Sequence, residues 1–141
     1  MKLKKLFEAK DQKLFKVDGG DEVEIRPEMA KTVKWSDVEQ EAESYNEEYL
    51  AHLRDELKSL EEKNQFVFIV PVFDKDAPSS QFTAAMKHTA RRIKDCVSVI
   101  GFAIPEEVIQ DADTYIEELS AKHSQYCFFC KKSLKNDVIL Y

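Results

Sequence analysis

Phe66-Val67-Phe68-Ile69-Val70-Pro71-Val72-Phe73 is apolar throughout, short, and rich in β-branched and aromatic side chains. These are the properties of a strand covered on both faces, as the strands of parallel sheets are. Pro71 belongs near the end of such a strand, where one missing amide donor matters least. The run has eight residues, where a membrane-spanning helix needs about twenty.

On both sides of this strand the periodicity becomes helical. Upstream, Tyr49, Leu53, Leu57 and Leu60 recur at intervals of four, four and three, and Ser44 precedes Glu47 with capping-box spacing. A helix is predicted from about Ser44 to Lys63. Downstream, the polar loop Asp74 to Ser80 leads into a second helix with the stripe Phe82, Met86, Thr89, Ala90 and Ile93. Val97 to Ile104 is a second apolar strand. Pro105, Glu106 and Glu107 then open a third helix, because proline needs no amide partner there and carboxylates complement a helix N-terminus. Val108, Ala112, Tyr115 and Leu119 form its stripe, and Tyr126 to Phe129 and Val138 to Tyr141 read as two further strands. With a strand around Val23-Glu24-Ile25 ahead of the first helix, the order is βαβαβαβ. It predicts an α/β fold with a mostly parallel sheet, half-barrel-like or open with three layers, and right-handed crossovers.

Residues 1–30 have a different texture. Lys5-Leu6-Phe7 and Lys13-Leu14-Phe15 flank short alternating segments, and Asp18-Gly19-Gly20-Asp21 is turn chemistry. They predict an N-terminal β-hairpin-like extension, with a helix over residues 2–10 as the competing reading. From Met29 to Glu43 the pattern is weak, Trp35 being the only large apolar group, and the segment reads as a connection with room for a short helix. The whole chain, 1–141, reads as one domain with one core.

Hydrophobic residues make up 43% of the chain and charged residues 34%, the balance of a globular protein, while a net charge of −6 repels phosphate backbones. No nucleic-acid partner is expected, and no membrane. The opening Met1-Lys2-Leu3-Lys4-Lys5 lacks a following apolar stretch of signal-peptide length, which predicts no export. Cys96, Cys127 and Cys130 are an odd number in a chain large enough to fold without bridges, which predicts thiols in a reducing, cytoplasmic compartment.

In parallel sheets, sites form beyond the carboxyl ends of the strands. The loops after Ile25, Phe73, Ile104 and Phe129 therefore hold the candidate ligand-binding residues Arg26, Asp74, Asp76 and Glu106, with Glu28, Glu107, Lys131 and Lys132 beside them. Carboxylates at such an edge can hold a cation, a sugar or an amine, or divide acid and base roles where their environments separate their pKa values. Cys127-Phe128-Phe129-Cys130 has the spacing of a zinc knuckle, but a structural zinc needs four ligands and no second pair follows, so buried apolar thiols are the simpler reading. His52, His88 and His123 lack ligand spacing on their predicted helices. The glutamates from Glu39 to Glu48 read as a solvated helix surface. Gly19, Gly20 and Gly101 are the only glycines and form no phosphate-binding loop, so no cofactor is expected.

Tyr45 to Glu107 resembles part of the barrel of glycoside hydrolase family 5 and its cellulase-like relatives. The likeness lies in a helix, strand, helix, strand succession carrying Tyr49-Leu50-Ala51-His52-Leu53, Phe66 to Pro71, Ala90-Arg91-Arg92-Ile93-Lys94-Asp95 and Val99 to Ile104, followed by Pro105-Glu106-Glu107-Val108. In that family a strand of this kind ends in Asn-Glu-Pro, so the resemblance implies Glu107 as the catalytic acid/base carboxylate and Arg26 as the arginine ending the second strand. Glu106 stands where the family has asparagine and Val108 where it has proline. Glycosidic cleavage uses a pair of carboxylates, and a complete barrel takes about 250 residues. The resemblance thus implies a barrel segment, acting as a non-catalytic interaction or ligand-binding domain, its partner a second copy in a dimer, another protein, or a carbohydrate. A glycosidase-like enzyme using Glu107 is the first alternative. A zinc-supported module using Cys127 and Cys130 is the second.

Overall fold

In the computed structural model, which describes residues 3–141, the chain opens with three short strands, β1 (Phe7–Lys10), β2 (Lys13–Lys16) and β3 (Glu22–Val23). They pair antiparallel in the order β1-β2-β3, the ribbon predicted for residues 1–30, whose first two residues lie outside the described ones. A turn at Pro27–Met29 leads to β4 (Ala30–Lys34), the short helix α1 (Trp35–Val38), and a small antiparallel pair, β5 (Glu39–Glu41) and β6 (Ser44–Tyr45). Then follow α2 (Glu47–Glu62), β7 (Val67–Val72), α3 (Ser79–Arg92), β8 (Val99–Ala103), α4 (Ala112–Ser120), β9 (Cys127–Cys130) and β10 (Val138–Leu140).

Five strands form a parallel sheet in the order β10-β9-β8-β7-β4. Each successive strand is added on the same side of the last, and right-handed crossovers repeated in one direction place every helix on one face. The packing has that form. Leu53 and Leu57 of α2, Phe82 and Met86 of α3, and Tyr115 and Leu119 of α4 bury against Ile69, Phe102 and Phe128 of the sheet. The other face carries Phe68, Ile100, Phe129 and Ile139, which pack on Phe7 and Leu14 of the ribbon. In β9 the alternation is complete, with Cys127 and Phe129 toward the ribbon and Phe128 and Cys130 toward the helices. The sheet is therefore covered on both faces, and it is open, with β4 and β10 as its edges.

Register changes once between β7 and β8. Val67 pairs with Val99 but Phe68 pairs with Gly101, so Ile100 is an extra residue and β8 is bulged there. Ile100 faces the ribbon while Phe102 returns to the helix side as a result, and Gly101 between them is pressed against β9 opposite Cys127.

Three expectations need correction, and one competing reading falls away. The first strand of the parallel sheet is Ala30–Lys34, where the sequence pattern predicts a connection, and Val23 belongs to the ribbon instead. Helix α2 is capped by Asn46, whose side chain accepts from the Tyr49 amide at 3.1 Å, while Ser44 and Tyr45 lie in β6. Glu106–Asp111 is a tight 3-10 turn, and the α-helical stretch of that segment begins at Ala112. Residues 7–10 are strand, which removes the helical reading of the N-terminus. No helix among the described residues is long and apolar enough to cross a membrane.

Candidate functional site

At the carboxyl ends of β7, β8 and β9 lies a shallow cavity of about 260 Å³ that has Glu106, Glu107, Lys131, Lys132 and Tyr141 on its walls. Glu106 accepts from the Lys132 ammonium at 2.7 Å, and that hydrogen bond holds its carboxyl below the usual carboxylate range. Glu107 is exposed on the same turn and has no ion-pair partner among the described residues. The two neighbouring glutamates reach this edge because Pro105 ends the extended segment after β8 and starts the 3-10 turn.

The other predicted residues do not join them. Asp74 turns to α1, where its carboxylate accepts from the Ser36 amide at 2.9 Å and from the Ser36 hydroxyl. That is a capping role, since the amide at a helix start has no partner within the helix. Asp76 is exposed in the loop before α3. Arg26, after β3 rather than after a parallel strand, lines a second and larger cavity.

This second cavity, about 550 Å³, lies between the ribbon and the face of the sheet turned away from the helices. Leu14, Val23 and Ile25 form one wall, and Phe68, Ile139 and Tyr141 the other. Phe68 stacks on Phe129 at 4.1 Å between ring centroids, and Tyr141 meets the Phe68 ring edge-on at 5.1 Å. Burial pushes the Tyr141 phenol above its ordinary pKa. Lys131 and Tyr141 line both cavities, with the Lys131 ammonium 4.7 Å from the centre of the Tyr141 ring, so this pair forms the partition between the strand-end edge and the space under the ribbon.

The ribbon is fastened to the far edge of the sheet by its own turn. Gln12 donates its amide to the Asn136 carbonyl at 2.9 Å and accepts from the Leu140 amide at 3.0 Å, and its side chain donates to Ser133 at 2.6 Å. These contacts link residues more than a hundred positions apart, and no local pattern announces them.

Cys127 and Cys130 lie on opposite faces of β9, as residues three apart in a strand must, and cannot share one ion. All three cysteines are free thiols and buried. Burial pushes the Cys96 and Cys127 thiols up to about 11. Among the described residues no three His, Cys, Asp or Glu side chains gather in a metal-binding arrangement.

Two further polar clusters carry no clear signal in the sequence. Glu39 is fully buried, not a member of a solvated surface. It accepts from Trp35 Nε1 at 2.8 Å, from Gln81 Nε2 at 2.9 Å and from the Glu43 amide at 2.8 Å, with the Lys75 ammonium 3.9 Å away. The four-residue spacing of Trp35 and Glu39 is the one local hint of it. His88 stacks on Tyr45 and pairs with Glu47 at 2.8 Å, a carboxylate supplied by the neighbouring helix rather than by its own.

Compared with protein-family models, curated proteins and solved structures, the chain has no match.

Proposed function

We propose that this chain is a non-catalytic ligand-binding domain that takes a small, largely apolar ligand in the cavity between the N-terminal ribbon and the parallel sheet. The carrying observation is the space itself. The ribbon and the sheet leave an open cleft of about 550 Å³, in which Val23, Ile25 and Tyr141 are part-exposed above the buried side chains of Leu14, Phe68 and Ile139. That volume is inside the range of roughly 300–1,000 Å³ typical of small-molecule sites.

The placement of the polar groups supports binding over catalysis. Asp74 caps α1, Glu106 is held by Lys132, and Arg26 faces the other cavity, so Glu107 has no free carboxylate partner at the strand ends. The one-directional strand order and single helical face support kinship with a segment of cellulase-like barrel wall. On that reading the sheet face that a barrel would turn inward is covered by the ribbon, and the site has moved beneath it.

Titration with Nile red, a neutral apolar dye that brightens on leaving water, tests the proposal. Saturable binding at one site is expected, abolished by Val23→Trp, which fills the cavity from its ribbon wall, and retained by Glu107→Gln. Absence of saturable binding overturns the proposal. Hydrolysis of an aryl glycoside that Glu107→Gln abolishes would establish the enzymatic alternative in its place.

A further inference from the structure

We infer that the ligand carries one negative charge at the end of an apolar body, as a medium-chain carboxylate does, and that Lys131 receives that charge. This deepens the reading of the cavity just given and rests on it.

The mouth of the cavity carries the cations Lys13, Arg26 and Lys131 and the carboxylates Glu22 and Glu24. Lys13 lies 4.0 Å from Glu22 and Arg26 lies 3.7 Å from Glu24, so two of the cations are already balanced. Lys131 is different. Its neighbour Lys132 holds Glu106 and Lys135 holds Asp113, but no carboxylate pairs with Lys131 among the described residues. The Lys131 ammonium instead rests over the Tyr141 ring, at the point where the apolar wall ends. A cation with no ion-pair partner among the described residues, at the rim of an apolar cavity, complements one anionic group on an apolar body.

The interior sets the other half of the specificity. The walls are hydrocarbon and aromatic, and the one amide side chain at the edge, Gln12, is turned away to Ser133. A ligand with hydroxyls or a second charge along its body would leave those groups buried without partners, at a free-energy penalty. Sugars and dianions are disfavoured on this ground. The chain as a whole carries −6, so its general field repels anions, and preference for a carboxylate must arise locally at Lys131.

Calorimetric titration with dodecanoate, dodecanol and dodecylammonium, each below its micelle-forming concentration, reads the head-group preference directly. Dodecanoate is expected to bind about fivefold tighter than dodecanol, the magnitude of a partly exposed ion pair, and dodecylammonium more weakly than either. Lys131→Gln should abolish the preference, bringing dodecanoate and dodecanol to equal affinity, and Lys131→Arg should restore it. Equal affinities for dodecanoate and dodecanol in the parent protein, or a Lys131→Gln variant that weakens both alike, would overturn the role of Lys131 while leaving the cavity as a binding site. Failure of all three to bind would overturn the cavity reading, and this inference with it.

Discussion

Gly101 faces the backbone of Cys127 across β8 and β9 so closely that any side chain on it would overlap the Cys127 carbonyl oxygen. The bulge at Ile100 accompanies this contact, the Cβ direction of Gly101 being aimed at the backbone of β9. Gly101→Ala has no rotamer to escape into and must force the paired strands β8 and β9 apart. A loss of more than about 3 kcal/mol, or no folding at all, is expected in denaturant melts. Gly20→Ala is the control. It meets open space and strains only a backbone at φ +73°, so a loss of about 1 kcal/mol is expected.

Glu39 anchors the segment from α1 to β6 through one carboxylate. Glu39→Ala would leave the buried Trp35 indole N–H and the part-buried Gln81 amide without their acceptor, and Lys75 without its nearest carboxylate. A destabilisation of about 3 kcal/mol is expected, with Glu39→Gln intermediate. Trp35 is the only tryptophan and is fully buried, so its emission should shift to the red in Glu39→Ala and mark where water has entered. An unchanged melt and spectrum would show that the cluster does not hold this segment.

Much of this architecture is legible in the residues. The apolar run Phe66 to Phe73, the Leu53-Leu57 stripe and the alternation of strands with helices are local patterns that the fold follows. β4 is hidden because Ala30-Lys31-Thr32-Val33-Lys34 is an edge strand with one neighbour, so only Val33 is buried and Lys31 instead reaches Glu56 of α2. Glu39 is hidden because it sits among solvated glutamates, and only its tertiary partners distinguish it. The larger cavity is illegible for a related reason. Its walls come from Leu14 and Val23 at one end of the chain and Ile139 and Tyr141 at the other, and nothing in either segment alone implies a gap between them.

Alkaline pH should weaken the fold through its buried thiols. Burial raises Cys96 and Cys127 from the ordinary thiol value of 9.0 to about 11, so each binds its proton more tightly in the folded than in the unfolded chain. Their contribution to stability is intact below about pH 9 and is lost as pH rises toward about 11. Burial also raises the Tyr115 and Tyr126 phenols, which extends the decline to higher pH. Denaturant melts from about pH 8 to about pH 11 should show the fall. A Cys96→Ala/Cys127→Ala variant should show a shallower one, and an equal slope in both proteins would contradict the assignment.

The β1-β2 turn can be improved. Asp11 and Gln12 close a two-residue hairpin loop with φ of 50° and 63°, a left-handed pair that favours Asn-Gly. Asp11→Asn with Gln12→Gly keeps the backbone bonds from this turn to Asn136 and Leu140 and gives up only the exposed side-chain bond to Ser133. A gain of about 1 kcal/mol is expected in the same melts. A net loss would mean that the Gln12 side chain, rather than the turn geometry, fastens the ribbon.

The most direct test of the ligand site is an amide chemical-shift map during titration with dodecanoate. Binding under the ribbon should move the resonances of Val23, Phe68, Ile139 and Tyr141 in a saturable, one-to-one fashion and leave Asp74 and Glu107 in place. No saturable shifts, or shifts confined to Glu106 and Glu107 at the strand ends, would contradict a binding site between the ribbon and the sheet.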